Sequence, residues 1–393
     1  MASSIHRYEQ KMIRQKLADP GEILIGERDA EILWNRDHPD LPVLENIFTG
    51  LNINSLLLAR PAEPYGTIID HLARTLPDAI TLKDNETRTF LHDIPVVENF
   101  TADAVIERLM GRKCVIVRDR GIVTWGAVSP EQTFVNFSSV LFSCFVKFFA
   151  DHLSLSAGGR LTEEGTAAFE KAVSHLAPFP EITADLKKGP FRKEEDVYEA
   201  VSHAGKPVVR YGLVDSVMGN VSYRFHDTLY ISQTGSFLDE LEGAIDPCPL
   251  DNSSCAGITA SSELPTHLKI VRNTPYKAVL HGHPKFAVIM SMVCEKEDKC
   301  DFAGRCHLNC PDDRTVADVP IVAGESGTGP RAIVNTVPDA VSRHGAAIVY
   351  GHGVFTAGED DFIKPFSLLW NIEKKCREAY FRRLEMTDHH QKR

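Results

Sequence analysis

Along the second half of the chain, short apolar runs alternate with stretches whose apolar residues fall on one helical face. Glu194 to Ala204 reads as a helix. "VDSVMGNVSYRF" (214–225) and "DTLYISQTG" (227–235) read as strands set off by Gly and Asn turns. "ELPTHLKIVRNTP" (263–275) is a helix stopped by Asn273 and Pro275, and "YKAVLH" (276–281) is a strand. "PKFAVIMSMV" (284–293) is a helix with Pro284 at its first turn, and a further helix ends at Gly345. "AAIVYGHG" (346–353) is a buried strand running into a glycine loop. Residues 361–386 form a long helix, expected to break or bend near Pro365. This alternation predicts a layered α/β domain over 191–393. In the first half, "SSVLFSCFVKFFA" (138–150) is too short to span a bilayer and carries Lys147, so it reads as a buried helix.

The same pattern recurs. "DLPVLENIFTGLNINSLLLARP" (40–61) aligns without a gap on "ELPTHLKIVRNTPYKAVLHGHP" (263–284). "HDIPVV" (92–97) resembles "ADVPIV" (317–322), and "VRDRGIVTWG" (117–126) resembles "VYGHGVFTAG" (349–358). Three matches in one order predict a tandem duplication. The expected organisation is a first copy over 1–150, a helical connector over 151–190, and a second copy over 191–393.

A hydrophobic content of 43% and a charged content of 25% are those of a globular protein, and 393 residues suffice for two cores. The formal charge of −11 argues against a nucleic-acid partner, which calls for a basic face. The N-terminal residues show no apolar signal region. The expectation is a cytoplasmic protein with no membrane partner, whose cysteines are thiols or metal ligands.

Two residues apart on a strand, His281 and His283 project to one side and can reach one metal. Alone, such a pair more often caps a strand end or bonds to backbone than holds a metal. His352, at the end of another predicted strand and flanked by glycines, offers a third ligand. Three protein ligands and one open position are what catalytic zinc requires.

With these in view, the second half resembles the class II aldolase/adducin family, which includes fuculose-phosphate aldolase and ribulose-phosphate 4-epimerase. Gly219-Asn220-Val221-Ser222, Thr234-Gly235, Ser261-Ser262-Glu263, His281-Gly282-His283 and His352-Gly353 match its motifs in order. The resemblance implies a layered α/β/α fold with a central, largely antiparallel sheet. It implies that His281, His283 and His352 hold Zn2+ or another divalent metal. Gly219, Asn220, Ser222, Thr234, Gly235, Ser261 and Ser262 would line a phosphate site, and small hydroxyls and Gly-turn N–H groups suit an anion. Glu263 would carry protons, while also standing at a helix N-terminus. Two departures stand out: no tyrosine follows Val319-Pro320, and Gln233 replaces a common proline.

Cys294, Cys300, Cys306 and Cys310 crowd a polar insertion beside His307 and form a candidate second metal site, to which Cys248 and Cys255 could add. Their spacing matches no known zinc or cluster signature.

In the aligned first half, Leu58 faces His281, Arg60 faces His283, Arg120 faces His352 and Asp40 faces Glu263, while His38-Pro39 replaces the two serines. The first copy is therefore expected to lack the metal. The implied function is a metal-dependent lyase that cleaves a small, phosphorylated sugar by a reversible retro-aldol reaction through a metal-stabilised enediolate. The rivals are a 4-epimerase, a dehydratase or decarboxylase on the same scaffold, and a non-catalytic adducin-like interaction protein. Members of this family are commonly tetramers, so a homo-oligomer is expected, with a tandem homodimer imitating the tetramer.

Overall fold

A computed structural model describes residues 4–296, 299–325 and 329–391. The chain forms two compact units, Met1–Pro178 and Phe179–Arg393.

Unit 1 runs α1 (Ser4–Arg14), β1 (Ala18–Arg28), β2 (Ile32–Trp34), α2 (Leu41–Gly50), β3 (Ser55–Pro61), α3 (Tyr65–Thr75), β4 (Ala79–Thr81), α4 (Asn85–Phe90), β5 (Asp93–Val97), α5 (Ala102–Leu109), β6 (Cys114–Val117), β7 (Gly121–Gly126), α6 (Pro130–Ala157) and α7 (Glu163–Ser174). Its seven strands lie in the order β2-β1-β3-β7-β6-β5-β4. Only β5–β6 is parallel. Helices α2 and α5 cover one face of the sheet, and α1, α3 and α6 cover the other.

Unit 2 runs α8 (Glu194–Arg210), β8 (Asn220–Phe225), β9 (Thr228–Ser232), β10 (Ile245–Pro249), α9 (Leu264–Asn273), β11 (Ala278–Gly282), α10 (Lys285–Met292), β12 (Arg314–Val316), β13 (Val319–Val322), α11 (Val337–His344), β14 (Ala346–Val349), β15 (Val354–Gly358) and α12 (Ile363–Gln391). Its eight strands lie in the order β10-β9-β8-β11-β15-β14-β13-β12, with only β13–β14 parallel. Apart from the extra edge strand β10, order and direction are those of unit 1.

The registers agree residue by residue. Leu58 pairs with Val123 as His281 pairs with Phe355, and Val96 pairs with Ile116 as Ile321 pairs with Ile348. Asp40 and Glu263 are both N-caps of helices with proline in the first turn. The aligned Asp119 and Gly351 share a left-handed backbone, with φ of 58° and 59°. The tandem duplication read from three short matches is thus a duplication of topology.

The pattern that predicted the layers is the one that buries them. Val279, Phe355, Ala347 and Val349 on the sheet pack against Ile270, Val271, Val337 and Val341 of α9 and α11. The counterpart core in unit 1 joins Leu56, Leu58, Val115 and Val123 to Leu44, Ile47, Val105 and Leu109. Gly345 ends α11 in the left-handed conformation, as its place after the last apolar residue predicted. Helix α6 is apolar and long enough to cross a membrane, but 89% of its most apolar window is buried inside unit 1, so it is a core helix.

Two details differ from expectation. Pro365 does not break α12, because it is the third residue of that helix, where its missing N–H has no intrahelical carbonyl to meet. The segment expected as a connector, 151–190, is divided. α6 continues to Ala157 and α7 packs on α3 within unit 1, where His152 stacks on Phe169 at 3.6 Å, while the chain from Phe179 belongs to unit 2.

Candidate metal and active site

Strand β11 ends at Gly282, and the His283 amide donates to the Leu213 carbonyl at 2.9 Å, prolonging the extended path by one residue. His281 and His283 therefore stay on one side of the strand, as their spacing predicted. The tight turn between β14 and β15 delivers His352 beside them. A Cβ on Gly353 would lie 2.5 Å from the Gly282 carbonyl and 2.8 Å from the His281 ring. Only glycine there lets the two strand ends close around three imidazoles. Gly219 does the same on the other flank: its φ is +86°, and a Cβ would lie 2.6 Å from the His281 carbonyl.

The three rings aim their Nε2 atoms at one point. His283 Nε2 is 2.9 Å and His352 Nε2 3.3 Å from His281 Nε2. Among the described residues, this is the group of His, Cys, Asp and Glu side chains that can share an ion. All three rings are buried. His281 Nδ1–H donates to the Val354 carbonyl at 3.1 Å, which leaves a lone pair on Nε2 of the neutral ring. Burial drives His281 down to about 4, against the pull of Glu263, and drives His283 well below its ordinary value. His281 and His283 are therefore neutral near pH 7, the form that ligates metal. One bridging proton could join two of these nitrogens but not three. Three convergent imidazole nitrogens are a donor set that would suit a divalent metal such as zinc.

Glu263 closes the site. Its Oε2 lies 3.4 Å from His281 Nε2 and its Oε1 3.3 Å from His352 Nε2. Burial works to raise its pKa, but His281, His352 and the Asn220 amide outweigh it and hold the carboxyl well below the usual range. Asn220, on β8 directly across from His281, donates its Nδ2–H to Glu263 Oε2 at 2.8 Å. Its buried Oδ1 has no protein partner, so an acceptor remains beside the carboxylate.

The other expected site residues fall into two groups. Thr234 and Ser262 meet through the Ser262 amide and Thr234 Oγ1 at 3.0 Å, and with Gly235 they are exposed at the mouth of two adjoining turns. Ser261 Oγ accepts from the Glu263 amide at 3.3 Å and so ties that turn to the carboxylate. Ser222 is fully buried, with its hydroxyl 2.7 Å from His267 Nδ1. In this structure that hydroxyl is engaged in the interior rather than presented at the turns.

Cys294, Cys300, Cys306 and Cys310 are half-buried free thiols and do not gather into a group of three metal ligands among the described residues. The expected second metal site thus has no assembled ligand set here.

Sequence reading passed over two buried polar groups and one part-buried pair around the triad. Lys285, just after His283-Pro284, pairs with Asp215. His267, one turn after Glu263 on α9, is pushed down to about 3 by burial. Glu373 of α12 accepts the Phe286 and Ala287 amides at 3.0 and 2.9 Å, anchoring the helix that begins beside His283. A charge inside an otherwise apolar helical stripe was the available signal for Glu373.

Residues 199–380 match the family model described as the class II aldolase and adducin N-terminal domain. The chain is similar to an L-fuculose phosphate aldolase of Methanococcus maripaludis, with 29% identity over 144 residues, covering 36% of this chain and 73% of that protein. Among solved structures it is similar to an L-fuculose-1-phosphate aldolase from Thermus thermophilus (22% identity, 48% of this chain, 95% of that one, TM-score 0.39). It is also similar to YgbL of Klebsiella pneumoniae, an aldolase, epimerase or decarboxylase by its description (21% identity, 49% and 91% coverage, TM-score 0.40). Over residues 199–380 the chain is thus similar to the class II aldolase/adducin family.

Proposed function

We propose that unit 2 is a divalent-metal-dependent lyase that cleaves a carbon–carbon bond of a small phosphorylated sugar by a reversible retro-aldol reaction. The observation that carries this reading is the convergence of three buried Nε2 atoms with the Glu263 carboxylate against them. His281, His283 and His352 would hold the ion, most simply zinc. When bound, it supplies Lewis-acid polarisation of a substrate carbonyl.

The chain's own residues account for the rest. Cleavage needs a proton removed from the hydroxyl that becomes the aldehyde, and a proton returned to the carbon that keeps the electron pair. Glu263 is the proton carrier within reach of that chemistry, and Asn220 Nδ2–H orients it and favours its ionised form. Asn220 Oδ1 is free to take a substrate hydroxyl. The exposed Thr234-Gly235 and Ser262 turns supply hydroxyl and N–H donors suited to a phosphate. The tandem arrangement supports a homodimer carrying four copies of the fold, two with the triad.

The test is elemental analysis followed by a screen of ketose and aldose phosphates for aldehyde release. One zinc per chain and aldol cleavage would support the reading. Inversion of a carbon without net cleavage would instead make it an epimerase. Protein that takes up no metal under any loading condition would refute both and leave an adducin-like binding role.

A further inference from the structure

The metal-free copy keeps a cleft. In unit 1 a cavity of about 230 Å³ opens at the place equivalent to the triad, lined by Leu24, His38, Asp40, Leu58, Arg60 and Arg120 among others. The correspondence is set by strand register. Leu24 pairs with Leu58 as Asn220 pairs with His281, so two leucines form a floor where the other unit has an amide and a ligand. Arg60 aligns with His283, Arg120 with His352 and Asp40 with Glu263.

We propose that this cleft is a second ligand site, specific for a small hydroxylated anion such as a sugar phosphate, which it binds without chemistry. Arg60 and Arg120 are about half exposed, at 50% and 53%. Arg60 Nη1 donates to the Asp119 carbonyl at 3.2 Å and its Nη2 lies 3.6 Å from Asp70. Arg120 Nη1 donates to Asp40 at 3.1 Å, and its guanidinium lies 5.7 Å from the Phe100 ring. These contacts aim both side chains while leaving several of the five donors on each for an anion. Glu22, Asp40 and Asp119 also line the cleft and offset this charge, so a bare anion is not the best fit. A ligand that adds hydroxyls to its anionic group also answers the Asp40 carboxylate and the His38 ring. The leucine floor takes the carbon skeleton. The three-histidine group has no counterpart in this cleft among the described residues, so the site is assigned binding and release. This assignment holds whatever reaction unit 2 performs.

The test is phenylglyoxal labelling of arginines in the full-length wild-type protein, mapped by peptide mass. The probe is glycerol phosphate, with sodium chloride at matched ionic strength as control. Labelling of Arg60 and Arg120 is expected to slow about tenfold at a probe concentration about ten times its Kd, by simple occupancy. The exposed Arg108 should label at an unchanged rate. Unprotected Arg60 and Arg120, or equal protection by chloride, would overturn the proposal. Calorimetry of R60Q/R120Q gives a second reading. One binding equivalent per chain should vanish, while loss of none would refute the site. Protection at Arg60 and Arg120 is read separately from turnover, so a failure of the lyase assignment leaves this result standing.

Discussion

Leu58 and His281 occupy one register position in two copies of one sheet: Leu58 lies across from Leu24 and Val123, and His281 across from Asn220 and Phe355. The backbone register is shared and the side chains at it differ. A first consequence is a stoichiometry. Wild-type protein should hold one tightly bound metal equivalent per chain, not two, and H281A/H283A should hold none. Elemental analysis of dialysed protein decides it, and a full equivalent surviving in the variant would point to the cysteine insertion.

Glu263 is the proton carrier of the proposed reaction, but it does not belong to the histidine triad. E263Q should therefore keep its metal while kcat falls by about 10²–10⁴-fold, the usual range for a lost acid–base group. A variant that loses metal and activity together would make Glu263 a ligand instead.

Gly353 lies where any side chain would meet the Gly282 carbonyl and the His281 ring. G353A should fold with a loss of about 1–3 kcal/mol, the common cost of overpacking, and should bind metal much more weakly. Denaturant melts and competition with a chelator measure the two effects. Wild-type affinity in G353A would show that the turn can relax.

His267 gives stability a pH dependence with a definite sign. Burial lowers its pKa to about 3 from an ordinary 6.5, so the unfolded chain binds a proton that the folded chain refuses. The neutral ring's contribution is complete above pH 6.5 and is lost as pH falls toward 3. Between pH 7 and 5 the wild type should lose about 2 kcal/mol more than H267Q, by urea unfolding at each pH. Parallel pH profiles would contradict this. Glu373, raised by burial to about 7, and Asp84, raised to about 6, act in the opposite direction in both proteins and cancel in the comparison.

Much of this protein is local and therefore written in the chain. The spacing of His281 and His283 already put both rings on one side of a strand, because side chains alternate across a sheet. Gly345 ended its helix, and the ungapped match of 40–61 to 263–284 gave the register of two distant sheets. What local pattern cannot encode is which side chains meet across the fold. Ser222 belongs by motif to a polar turn, yet alternation on β8 turns it inward to His267. Asn220, two residues earlier, reaches Glu263, the N-cap of α9, from a strand that lies beside β11. The cysteines looked like a ligand cluster because four fell in a short segment, but closeness in sequence does not bring three ligand atoms together, and among the described residues these do not converge. The aligned sequence showed that unit 1 had lost its histidines. Only the packing of Leu24 and Leu58 beneath two half-exposed arginines revealed that the cleft stayed open.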